Sequence, residues 1–278
     1  MNFRSKKHWT PLITVMFLGI CSYSQQQLRG RILNEDNQSI GYASVGIKSK
    51  KAGIVADSSG KFKLELPEFI KDNDSVIISS IGFQSLRMTV KKATNQSEFI
   101  LKPISRDMPE VSLTSFLHTT TVGSNSQDFT FYRGWFERKT GGEIGRVVGI
   151  PHKKYKLEKI FFKADNTCDT CWVRLHIRKM QGDAPGDELL SDNIIVPFSK
   201  LNFNDQPAFD LGEYNVVLSE KRVFIGFEVL NCTNGESKTS SLCFIGTEYG
   251  DYLYKSYANS PWEKGSFYNV DISMFLKF

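Results

Sequence analysis

Apolar and polar residues alternate with a period of two through much of the chain, the mark of strands buried on one face. In Ala43-Val45-Ile47 the apolar side chains share one face while Ser44, Gly46 and Lys48 take the other. Phe62, Leu64 and Leu66 do the same against Lys61, Lys63 and Glu65. Asp57-Ser58-Ser59-Gly60, just ahead of that strand, carries turn chemistry, with Gly60 expected at positive φ. Val76 to Ile81, ended by Gly82-Phe83, and Phe99 to Leu101, ahead of Pro103, complete a first set of short strands. Farther along, Val173, Leu175 and Ile177 alternate with Trp172, Arg174 and His176, and Val223, Ile225, Phe227 and Val229 alternate with Phe224, Gly226 and Glu228. Val270, Ile272, Met274 and Leu276 form the inward row of a last strand, and Phe161-Phe162 and Trp135-Phe136 read as buried from both sides. No stretch holds a helical period. The pattern predicts an all-β chain of two antiparallel β-sandwich domains, a small one over 25–105 and a larger, jelly-roll-like one over 128–278. Between them, 106–127 is rich in Ser and Thr, contains Pro109, and reads as a linker.

Composition agrees with a folded chain: 40% of the 278 residues are hydrophobic, 23% charged, and Phe alone occurs 21 times, which excludes disordered and fibrous classes. The N-terminus has Arg4, Lys6 and Lys7, then an uncharged stretch from Pro11 to Cys21, then small residues at Ser22 and Ser24. That order predicts a signal peptide over 1–24 and export. The apolar run is shorter than the ~20 residues a spanning helix needs, and no later stretch is long and apolar enough to cross a membrane. Leu18-Gly19-Ile20-Cys21 departs from a lipoprotein box at Ile20, where a small residue belongs. The formal charge of +5 includes the three basic leader residues. Without them the excess is too small to draw the chain to nucleic acid.

Removing Cys21 with the leader leaves four cysteines in an oxidising compartment, where disulfides are expected. Four cysteines allow three pairings. Cys232 and Cys243 flank a polar stretch between apolar runs, as a hairpin-base bridge would, which leaves Cys168 and Cys171 to pair locally. A redox centre would need a cation beside the Cys-x-x-Cys, and none stands before Arg174. The eleven-residue spacing of the second pair argues against zinc.

The order Gly30-Arg31-Ile32, Ile40-Gly41-Tyr42-Ala43-Ser44-Val45, Gly53-Ile54-Val55-Ala56-Asp57-Ser58-Ser59-Gly60-Lys61-Phe62 and Ser79-Ser80-Ile81-Gly82-Phe83 resembles the carboxypeptidase regulatory-like domain. The resemblance implies a transthyretin-like, seven-stranded Greek-key sandwich. Such domains often precede outer-membrane TonB-dependent receptors, and Met108-Pro109-Glu110-Val111 is similar to the transition into a receptor plug. Only about 170 residues remain beyond it, too few for a receptor barrel. The pieces Trp172 to Ile177, Pro185 to Leu190 and Asp210 to Leu218 are loosely similar to a jelly-roll-like module found behind regulatory-like domains.

No catalytic constellation is present. Three residues after His118, His152 and His176 stand Thr121, Tyr155 and Lys179, so no His-x-x-Glu metal pair exists, and there is no nucleophile elbow or phosphate loop. The reading is a protein without catalytic residues, cofactor or metal. Its candidate ligand row is the outward face Trp172, Arg174, His176 and Arg178, joined at a rim by Trp262, where rings and donors together would suit a glycan or a protein partner. The competing reading packs Trp172 under a loop and pairs Arg174 with Glu228 across strands. Asp165, Asn166 and Asp169 offer oxygens for calcium or simply form a polar turn. Three functions compete: a non-catalytic envelope protein with a spacer or docking domain, a subunit of an outer-membrane uptake or assembly complex joined by strand addition, and a glycan-active hydrolase with an acidic pair in the second domain.

Overall fold

The computed structural model describes residues 26–104, 116–124, 131–135, 140–202, 205–233, 242–248, 250–266 and 268–278. The leader, Cys21, Met108 to Val111 and Phe136 lie outside the described residues, as does the side chain of Trp135. Strand is the predominant element among the described residues.

The first sandwich comprises β1 (Gln27–Asn34), β2 (Ser44–Ile47), β3 (Gly53–Val55), β4 (Lys61–Glu65), β5 (Ser75–Ser79), β6 (Leu86–Thr89) and β7 (Glu98–Leu101). A sheet ordered β4-β1-β7 faces one ordered β3-β2-β5-β6, seven strands in two layers, the number the resemblance implies. The inward residues of the alternating segments meet between them: Ala43, Val45, Ile47, Phe62, Leu64, Val76, Ile78 and Phe99 are all buried. Gly60 takes φ +75°, and Asp57 Oδ1 accepts from the backbone N–H groups of Ser59 and Lys61 to close that turn. Two details depart from the sequence reading. One pair, β1 with β7, is parallel. A five-residue helix, α1 (Val90–Thr94), is capped by the Thr89 hydroxyl and plugs Val90 and Ala93 into the core; one turn is too short to show a helical period.

The second sandwich comprises β8 (Thr119–Gly123), β9 (Phe131–Trp135), β10 (Glu143–Gly149), β11 (Tyr155–Phe162), β12 (Ala164–Gln181), β13 (Ala184–Glu188), β14 (Ile195–Leu201), β15 (Ala208–Asp210), β16 (Val217–Leu218), β17 (Arg222–Thr233), β18 (Leu242–Glu248), β19 (Tyr252–Lys255), β20 (Glu263–Gly265), β21 (Asn269–Val270) and β22 (Ile272–Lys277). Its large sheet runs β20-β19-β10-β17-β12-β18-β21, with β13 and β14 on β12 and β9 on β18; its small sheet runs β15-β11-β22-β8, with β16 on β11. Strand β8 falls inside the stretch read as a linker, where it pairs with β22. Its Thr-Thr-Thr-Val-Gly sequence resembles a linker in composition, yet an edge strand tolerates polar β-branched residues on both faces.

Between these sheets lies an aromatic core. Phe227 is sandwiched between Phe209 and Phe244 at centroid distances of 5.7 and 5.3 Å, both nearly parallel, and Phe162 packs on all three. The outer face of the β2 sheet then rests on the outer face of the large sheet, so four sheets stack with an apolar core inside each sandwich and a polar layer between the sandwiches. Small residues permit the approach: a Cβ on Gly46 or Gly53 would collide with the Ala258 carbonyl in the β19–β20 connection.

Candidate functional site

The polar layer is built by register. Lys255, Glu143, Glu228 and Arg174 are direct cross-strand neighbours on β19, β10, β17 and β12, a row of cation, anion, anion and cation. The next row is Gly145, Gly226 and His176. Glycine is required at Gly226 because a Cβ there would meet Glu143 Oε1 and the Phe224 ring, so the space goes to the imidazole and the carboxylates. Arg178, one alternation further along β12, and Glu188 from β13 complete the cluster.

Every charge is paired. Arg174 Nη1 donates to Glu228 Oε2 at 2.8 Å and its Nε to Asn193 Oδ1 at 2.8 Å. Arg178 grips Glu143 through Nε and Nη2, both at 3.1 Å, and Lys255 Nζ stands 2.7 Å from Glu143 Oε2. His176 places Nδ1 2.6 Å from Glu188 Oε2 and Nε2 2.9 Å from Glu228 Oε2. The two carboxylates favour the imidazolium, and Arg178 Nη2, 3.0 Å from Nδ1, opposes it. Burial works against the charge on His176, yet Glu143 foremost and then Glu188 raise its pKa above the ordinary 6.5. Burial also opposes the carboxylates, and the cations prevail. Arg178, His176 and Lys255 hold Glu143 well below the usual range, Arg174 and His176 bring Glu228 down to about 2, and Arg178 and His176 lower Glu188.

The first sandwich closes over this cluster. Arg174 Nη2 donates to the Tyr42 carbonyl, and the Ser44 hydroxyl donates to Glu228 Oε1 at 3.2 Å. Tyr42 holds the left-handed conformation, φ 57°, unusual for a bulky residue. At the tip of the β19–β20 connection Asn259, also left-handed at φ 60°, donates its amide to the Ile77 carbonyl at 3.1 Å. Lys51 and Glu263 pair at 2.9 Å along the margin.

The middle of the row expected to face solvent is therefore covered. Arg174 is 1% and His176 4% exposed, so these two members of the expected platform face the first sandwich and not solvent, while Trp172, Arg178 and Trp262 are half-buried around them. Trp172 lies over Tyr42 at 6.5 Å, and Trp262 packs on Phe224 with Lys255 over its ring. Both tryptophans border the cluster. Alternation did place Arg174 and His176 away from the apolar core, and the competing reading paired Arg174 with Glu228; it could not tell that a second sandwich covers them. Glu143, Glu188 and Lys255 were missed. The available signal was Glu228 itself, a lone acid inside Val223 to Leu230, which demands a buried counter-charge.

The cysteine pairing is corrected too. The bridge joins Cys171 to Cys232, direct partners on β12 and β17, so neither Cys168–Cys171 nor Cys232–Cys243 forms. Cys243 alternates with buried Leu242 and Phe244 and stands on the opposite face, beside Asp165. Calcium is not the use of Asn166: it is buried, its amide donates to the Phe198 carbonyl, and its Oδ1 accepts from the Cys168 N–H.

Among comparisons with known proteins, the family model of the CarboxypepD_reg-like domain matches residues 28–113. No curated protein matches the chain. A solved structure of infectious bursal disease virus, Gx strain, is similar over 90% of this chain and 62% of its own, at 7% identity and a TM-score of 0.26. This chain thus spans less than two thirds of that one, and a likeness so slight carries no argument. Six of the seven strands, all of β1 but Gln27, and the Asp57–Gly60 turn lie within the matched segment, and residues 28–113 are a carboxypeptidase regulatory-like domain.

Proposed function

We propose that this is a non-catalytic exported envelope protein in which the regulatory-like domain serves as a rigid spacer or docking unit fixed against the second sandwich, the pair presenting a binding surface to a protein or glycan partner. The observation that carries this is the polar layer. Cations hold its acids below their ordinary pKa, which supports a binding role over use of any of them as a general acid. What such a cluster does well is fix one relative placement of two surfaces, because any other placement strands buried charge. The short edges of the first sandwich, five residues at β4 and four at β7, favour this over joining a partner by strand addition.

The test is to express the whole chain in its native cell type with a C-terminal tag, locate it by fractionation, determine its mature N-terminus, and apply it to glycan arrays and envelope extracts. A leader removed near residue 24, envelope location and a saturable partner without turnover are expected. An intact N-terminus in the cytoplasm would overturn the export half. Turnover of a polysaccharide or peptide, abolished by changing one acid, would overturn the non-catalytic half.

A further inference from the structure

The disulfide has a third sulfur beside it. The Sγ atoms of Cys168, Cys171 and Cys232 lie within 4.8 Å of one another, and Cys168 and Cys171 are wholly buried. Strand geometry alone would forbid this, since residues three apart point to opposite faces. The burial of β12 changes phase: Ala164, Asn166 and Cys168 are inward, then Cys171, Val173 and Leu175. The register with β14 slips between Asn166 and Thr170. This bulge turns Cys168 onto the face of the bridge, and the Asn166 side chain fixes it by accepting from the Cys168 N–H. A bulge that aims one side chain is a local feature with a purpose more often than a defect.

We propose that Cys168, Cys171 and Cys232 form a thiol–disulfide exchange centre in which the bridge migrates to include Cys168. The Cys168 thiol gives its proton to solvent or hydroxide, and the thiolate attacks one sulfur of the bridge. The Cys171–Cys232 bond breaks as the new S–S bond forms, and the displaced sulfur leaves as a thiolate that takes up a proton. One disulfide and one thiol stand on each side, so no external oxidant or reductant is consumed. The resting bridge spans 61 residues of sequence and staples β12 to β17. A Cys168–Cys171 bridge would untie those strands, and a Cys168–Cys232 bridge would join them on a diagonal. Burial and neighbouring Asp169 raise the Cys168 thiol, which keeps the exchange slow at neutral pH. A soft metal ion is the rival use of three sulfurs. A divalent ion on three thiolates would bury net negative charge beside Asp169, which the geometry disfavours.

The experiment holds the folded, full-length chain in acidic or alkaline buffer, quenches it in acid, caps its thiols with an acid-tolerant maleimide, and maps the disulfides by mass spectrometry. A bridge containing Cys168 should appear in the alkaline sample and be absent from the acidic one. Cys168→Ser should show only Cys171–Cys232 throughout. Cys171→Ser, oxidised with glutathione disulfide, should join Cys168 to Cys232. A wild-type Cys168 that stays a thiol in both buffers would overturn the proposal, and this measurement needs no variant to fold. Uptake of one zinc ion by the dithiol-reduced chain, lost in Cys168→Ser and unaccompanied by any Cys168 bridge, would also overturn it, in favour of a metal site.

Discussion

The two faces of the large sheet are equally dry and opposite in chemistry. One carries Phe227 between Phe209 and Phe244; the other, a single residue away, carries Glu228 among Arg174, His176 and the Ser44 hydroxyl. The first is held by area removed from water and tolerates many shapes of similar volume. The second contributes little net stability over an apolar substitute, but it is intolerant of losing one partner. Burial of the first makes a sandwich; complementarity of the second sets where the other sandwich sits.

The sharpest way to break this comparison is to truncate each face at the same strand. Phe227→Ala should cost about 3–5 kcal/mol in urea unfolding, and Glu228→Ala, which strands Arg174 and His176, about 3–5 kcal/mol as well. The difference lies in repair: combining Glu228→Leu with Arg174→Met and His176→Leu should return most of the loss, whereas no charge change should rescue Phe227→Ala. A triple variant as unstable as the single one would show that the ions themselves, rather than their pairing, stabilise the layer.

Next in size is Gly46→Val, which sets side-chain atoms against the Ala258 backbone. Overpacking of this kind costs about 1–3 kcal/mol. The loss should be one of docking, read as a larger radius of gyration in X-ray scattering, with the circular dichroism of both sandwiches kept. An unchanged scattering profile would mean that the close approach at Gly46 does not matter.

The pH response separates the faces further, because the carboxylates and the imidazole lie on the polar one, while the apolar core holds the Cys168 thiol and the Tyr155 phenol, both raised by burial and silent until alkaline pH. His176 is raised, so the stability its charge contributes is complete below 6.5 and is lost as pH rises through the raised value. Glu228 is lowered to about 2, so its contribution is complete above 4.5 and is lost as pH falls toward about 2; Glu143 and Glu188 shift in the same direction. The urea midpoint should therefore plateau between 4.5 and 6.5 and decline on both sides. His176→Gln should lower the plateau and abolish the part of the decline that begins just above 6.5, leaving the later losses from the buried Cys168 thiol and Tyr155 phenol. A decline still beginning just above 6.5 in that variant would remove His176 from this role. The smallest effect is expected at the margin. Lys51→Ala loses a solvent-exposed pair with Glu263, and its unfolding midpoint should match the parent within error.

Much of the fold was legible because strand alternation is local. Ala43, Val45 and Ile47, or Val223, Ile225 and Phe227, pack inward as their spacing requires. The turn at Gly60 was legible for the same reason. The site was legible only in part. Arg174 opposite Glu228 follows from strand pairing, but Glu143 and Lys255 reach the row through three strands distant in sequence. The cysteine pairing failed where local spacing was taken as a guide to partners. A cross-strand register, set by a bulge, chose Cys171 and Cys232 instead.

Which side chains leave the backbone together is written in the order of residues, because a pleated strand turns each one opposite to the last. The amino-acid order therefore fixed an all-β chain, the inward rows of both sandwiches and the regulatory-like character of its first part. What lies beyond an outward row is not a local property. Only the stacking of one sandwich on the other made Arg174, His176 and Glu228 interior, and only there does a charge need the partners that define this molecule's central layer.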